Sequence, residues 1–105
     1  MNKLVKNGMV AVIISPGYGA GWLTWNGTHD YTDMLFDPGL ADLILNNATK
    51  DKLLSYATLK WPDASLLGID KLTVEWIPQG TAFRINEYDG NESIEIRDKI
   101  NWHIA

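Results

Sequence analysis

The apolar run Val10-Ala11-Val12-Ile13-Ile14 empties into Ser15-Pro16-Gly17-Tyr18-Gly19-Ala20-Gly21-Trp22-Leu23-Thr24-Trp25-Asn26, and this junction constrains the fold more than any other feature. The continuous, β-branched run predicts a central strand over 9–15, buried on both faces. Three glycines in five positions then supply a backbone freedom that a helix or strand interior would not choose. Such a loop serves a tight turn, a close approach of two chain segments, or a set of backbone N–H groups facing a ligand. The residues alone leave all three open.

Downstream, residues 16–36 show no clear periodicity, and Asn26-Gly27 is a turn signal within them. Asp37-Pro38 then opens a helix, with aspartate as N-cap and proline at the first helical position. Leu40, Leu43 and Ile44 share one face of that helix, and Asn46-Asn47 ends it. Thr49 caps a second helix with Asp51 in its first turn, and Leu53, Leu54, Ala57 and Trp61 give the apolar stripe before Pro62 stops it. The two make a short αα-hairpin.

The last third changes period. Leu72, Val74 and Trp76 alternate with polar residues, Pro78-Gln79-Gly80 turns the chain, and Phe83 and Ile85 alternate with Arg84 and Asn86. Asp89-Gly90 is a strong hairpin signal, after which Ile94 and Ile96 alternate with Glu95 and Arg97. The expected class is α+β: an antiparallel sheet, made of a C-terminal three-stranded meander plus the N-terminal strand, packed with the αα-hairpin. A chain of 105 residues forms one domain, 1–105, with a core that needs no metal or disulfide; cysteine is absent.

Charge narrows the partners. Thirteen acidic and nine basic residues give a formal net charge of −4, which argues against a duplex nucleic-acid binder. A small anionic ligand needs only local cations, and Arg84 and Arg97, the only arginines, could fork onto a phosphate or carboxylate from adjacent strands. The competing reading pairs them with Glu75 and Glu95. The N-terminus carries no secretory apolar region and no run spans a membrane, so the expected location is the cytoplasm.

The candidate ligand site comprises Gly17, Gly19 and Gly21 as N–H donors, Tyr18, Trp22 and Trp25 as stacking aromatics, and Arg84 and Arg97 as cations. The glycine spacing matches neither the dinucleotide fingerprint nor a P-loop. Buried, the same aromatics would simply be core. His29, Asp30 and Asp33 are the candidates for acid–base or metal chemistry, against a solvated loop. The acidic run Glu87-Tyr88-Asp89-Gly90-Asn91-Glu92 reads as a solvated hairpin tip or an acidic knob for a basic partner protein. No Ser/His/Asp order, no His-x-x-x-His and no paired carboxylates at helical spacing appear, so the expectation is a non-enzymatic protein without metal or cofactor.

Several segments together carry a resemblance: Val10-Ala11-Val12 into Ser15-Pro16-Gly17-Tyr18-Gly19-Ala20-Gly21-Trp22 and Thr24-Trp25-Asn26; Leu35-Phe36-Asp37-Pro38; Trp76-Ile77-Pro78 with Gly80-Thr81; Phe83-Arg84-Ile85 with Glu87-Tyr88-Asp89-Gly90 and Glu92-Ser93-Ile94. In these the chain resembles a family of small, largely uncharacterised proteins of bacteriophages and bacterial genomes. The resemblance implies a setting of compact phage and prophage accessory proteins, among them inhibitors of host defence that bind and sequester nucleotide signals. It carries over no catalytic residue. The ligand expected on this basis is small, anionic and nucleotide-like. A symmetric homo-oligomer could build its pocket between subunits, in the host cytoplasm if the protein is phage-encoded. The alternative is an inhibitor that docks the acidic hairpin 87–92 on a host protein.

Overall fold

A computed structural model describes residues 2–17, 19–26 and 32–96. The α+β class is as expected: the described residues form two α-helices and five strands, the strands in two antiparallel sheets. Strand β1 (Val5–Lys6) turns through Asn7 (φ 53°) and Gly8 (φ 75°) into β2 (Met9–Ile14). Positive φ at both loop positions is the tight-hairpin geometry that Asn-Gly favours. Strand β3 (Thr73–Pro78) pairs with the other edge of β2 in the register Val10↔Ile77 and Val12↔Glu75. The order is therefore β1-β2-β3, and the apolar run is the central strand.

The meander is where the pairing departs from expectation. β3 joins β2 and not β4, while β4 (Phe83–Tyr88) and β5 (Asn91–Ile96) form a separate two-stranded hairpin. β2 is buried on both faces and needs backbone partners along both edges; β1 lies along one and β3 takes the other. At Pro78 the chain turns out of the sheet: Gln79 N–H donates to the Gly8 carbonyl at 2.8 Å, and Thr81 N–H to the Pro78 carbonyl at 3.0 Å. β4 consequently starts in another layer.

Alternation along β2 sorts the core into two. Ala11 and Ile13 join Trp22, Met34, Leu40, Ala41, Leu53, Ala57, Trp61 and Ile69 beneath the helices. Val10, Val12 and Ile14 join Leu35, Phe36 and Ile77, against which Phe83, Ile85, Ile94 and Ile96 of the hairpin pack half-buried. Helices cover one face of the sheet and the hairpin covers the other.

The helices start where their caps predict. In α1 (Pro38–Leu45) the Asp37 carboxylate accepts from Leu40 N–H at 2.8 Å, and in α2 (Lys50–Lys60) the Thr49 hydroxyl accepts from Lys52 N–H at 3.3 Å. The aperiodic segment holds two 3₁₀ helices, Leu23–Asn26 and Thr32–Leu35. Asn26 is buried within it and works as a strut. Its side-chain amide donates to the Trp22 and Ser65 carbonyls and accepts from Ser65 N–H at 2.6 Å.

Candidate functional site

Glu92 reorganises the expected site. Its side chain is 1% exposed, and its carboxylate lies inside the concavity formed by the glycine loop. Oε1 accepts from Ser15 N–H at 2.8 Å; Oε2 accepts from Trp22 N–H at 2.8 Å, Thr24 N–H at 3.0 Å and the Thr24 hydroxyl at 2.6 Å. The Glu92 N–H donates back to the Ser15 carbonyl at 3.0 Å. Successive backbone N–H groups converging on one point make an anion-binding concavity, and here the anion belongs to the chain itself.

The rest of the hairpin tip closes over the same loop. Gly17 N–H donates to the Asn91 side-chain oxygen at 2.8 Å, and Gly19 N–H to the Asp89 carbonyl at 3.0 Å. Asp89 (φ 55°) and Gly90 (φ 82°) form the two-residue turn between Tyr88 and Asn91, as the Asp-Gly pair predicts. Gly90 packs so closely on the Gly19 backbone that a methyl group there would overlap the Gly19 carbonyl.

The sequence-predicted residues therefore separate. The amides of Gly17 and Gly19 are engaged internally, which corrects their role as free donors to a ligand, and the Trp22 amide is engaged by Glu92. Gly21 lies beneath Thr24 and the Trp25 ring, where a Cβ would crowd both. Trp22 is 0% exposed, packs edge-to-face on Trp61 at 5.7 Å and donates its indole N–H to the Met34 carbonyl at 2.9 Å; it is core and not a stacking platform. Trp25 remains 44% exposed. Tyr18, Arg97, His29 and Asp30 lie outside the described residues.

The acidic run also divides. Glu92 and Asn91 are folded inward, which corrects the solvated tip, while Glu87, Tyr88 and Asp89 stay exposed. Asp33 accepts from the Trp61 indole N–H at 3.2 Å, and its carbonyl accepts from Phe36 and Asp37 N–H. Among the described residues no group of three His, Asp or Glu could hold a metal ion.

Arg84 pairs across the hairpin with Glu95 at 2.6 Å, and Asn86 also donates to Glu95 at 3.0 Å. The carboxylate holds the Arg84 guanidinium above its ordinary value, and Arg84 with Asn86 holds Glu95 below its own. Both are well exposed, the Arg84 side chain by 74%. Beside Arg84 runs an open groove of about 490 Å³ lined by Leu23, Thr24, Thr32, Leu35, Phe36, Phe83 and Ile85. One wall is the hairpin, the other the 3₁₀ segments. Phe36 meets Phe83 edge-on at 6.1 Å, and the Lys3 ammonium stands 4.4 Å over the Phe36 ring.

A second buried carboxylate, Asp37, serves the helices. It accepts from the Tyr56 hydroxyl at 2.6 Å and pairs with Lys60 at 2.6 Å. Burial pushes Asp37 up, but the bonds from Lys60, Tyr56 and Leu40 N–H outweigh it and hold the carboxyl below its usual range. Burial and the Asp37 contact raise the Tyr56 hydroxyl, while the bond to Asp37 raises Lys60. A raised tyrosine beside a raised lysine is a poor general base, so this cluster fits a fastener between helices better than a catalytic group. Sequence reasoning found its cap and missed its other partners, which lie a helix away.

Among the described residues no helix is long and apolar enough to cross a membrane. No protein-family model, no curated protein and no solved structure matches the chain.

Proposed function

We propose that the protein is a non-enzymatic binding module whose site is the groove between the hairpin and the 3₁₀ segments, and that its ligand is a small, flat, nucleotide-like anion. The carrying observation is the groove itself: apolar and aromatic walls, two threonines, and Arg84 among the lining residues. Its volume falls within the roughly 300–1,000 Å³ of small-molecule sites. A flat apolar body fits between the walls, and an acidic group reaches the guanidinium. The Glu95 partner is no obstacle, because an exposed, solvent-screened pair is weakly held and a bidentate phosphate competes well with it. The motif resemblance to phage and prophage accessory proteins extends the reading to sequestration of a host nucleotide signal.

The test is titration calorimetry with nucleoside 5′-monophosphates, beside native mass spectrometry of the purified protein for a retained small molecule. Arg84→Ala removes an exposed side chain and should leave the melting temperature unchanged while weakening binding tenfold or more, as loss of a charge-assisted contact implies. Unaltered affinity in that variant would overturn the anionic site. The other reading, a docking knob for a host protein, now rests on Glu87 and Asp89 alone, since Glu92 is folded inward. It would be favoured if reversing those two charges abolished capture of a host protein that Arg84→Ala still binds.

A further inference from the structure

We infer that the β4–β5 hairpin is a hinged lid on the groove, latched by the Glu92 carboxylate, so that Glu92 is a positioning residue for the site. This rests on reading the groove as the site. Three observations carry it. Among the described residues the hairpin is a sheet of its own, with no ladder to β1-β2-β3, and on its N-terminal side it joins the body through the short turn after Pro78. At its tip, polar ties bind it to the body: Asp89, Asn91 and Glu92 meet Ser15, Gly17, Gly19, Trp22 and Thr24. Below the tip its apolar face of Phe83, Ile85, Ile94 and Ile96 packs only half-buried.

The latch and the groove share a residue. Thr24 lines the groove and gives Glu92 both its N–H and its hydroxyl, while Phe83, Arg84 and Ile85 form the movable wall. Breaking the Glu92 bonds frees Thr24, and once the Asn91 and Asp89 ties to Gly17 and Gly19 part with them, that wall swings on its base. The closed state is held by hydrogen bonds that local opening exposes to water as one unit, which is the behaviour expected of a cooperative sub-global segment.

Amide hydrogen exchange followed by NMR on the full chain tests the lid without any ligand. In the wild type, the amides of Ser15, Gly17, Trp22 and Thr24 should exchange with those of the hairpin at one common rate, faster than the amides of α1 and α2. Glu92→Gln keeps the shape but offers only one oxygen, and should speed that group about tenfold or more while leaving the helices unchanged. Exchange of the whole group only through global unfolding, or equal acceleration of the helices in Glu92→Gln, would overturn the lid. The groove is read separately with 1-anilinonaphthalene-8-sulfonate, a flat anionic probe. The lid predicts that Glu92→Gln raises its association rate severalfold, and an unchanged rate counts against the lid. Should the probe bind the wild type and Arg84→Ala equally, the groove reading fails while the exchange result still decides the lid.

Discussion

At Glu92 one side chain decides what the glycine loop can do. Its carboxylate satisfies three backbone N–H groups and one hydroxyl. Glu92→Ala would strand those donors, each costing about 1–3 kcal/mol when buried. Chemical denaturation should show a loss of at least about 3 kcal/mol, with a smaller loss for Glu92→Gln. The two tryptophans of the loop should part company in the same assay. Trp22→Ala opens a cavity beside Trp61 and should cost about 3–5 kcal/mol, enough to threaten a fold whose total stability is of order 5–15 kcal/mol. Trp25→Ala, at a ring 44% exposed, should cost less, under about 2 kcal/mol. Equal effects at Trp22 and Trp25 would contradict the assignment of one to core and the other to surface.

Helices and hairpin turns were readable because their determinants are neighbours in sequence. Asp37-Pro38 and Thr49 sit where the helices begin, and Asp89-Gly90 sits in the turn it encodes. Strand partnership was not, since Val12 meeting Glu75 is a pairing across most of the chain that no local pattern records. Glu92 lay between these cases. It shares strand parity with Ile94 and Ile96, so the alternation already pointed it inward, but the acidic neighbours around Asp89-Gly90 made the segment read as solvated. What the parity could not reveal was the donor set waiting in a loop some seventy residues earlier. The αα-hairpin carries its own prediction. Asp37 is held below its ordinary value, so its contribution to stability is complete above the unfolded carboxylate pKa of about 3.9 and disappears as pH falls through the lower folded value. Asp37→Asn should therefore be least stable relative to wild type at neutral pH. In thermal melts from pH 7 to 3, the gap between the two proteins should narrow below about pH 4. A gap that widened with acid would reverse the sign argued here.

On the scale of the whole molecule, β2 is the plane between two unequal cores. The helical side encloses Leu40, Ala41, Ala57 and Trp61 almost completely, whereas the hairpin residues on the other side stay half-buried. Apolar contributions scale with area removed from water, so the two layers cannot contribute equally. Leu40→Ala, at a fully buried position, should cost about 2–5 kcal/mol and shift the urea midpoint without altering the slope, because every layer depends on that core. Ile94→Ala should cost distinctly less, under about 2 kcal/mol, because part of its side chain already meets water. It should also loosen the hairpin ahead of the rest, read as a transition whose midpoint differs between hairpin resonances and Trp22 or Trp61. A single coincident transition with equal cost at Leu40 and Ile94 would mean that the hairpin is an integral layer. It would then be unable to move over the groove it borders. Strong cohesion beneath the helices and weak cohesion over the groove is the distribution that would let such a small fold keep its shape while one wall of the proposed site yields.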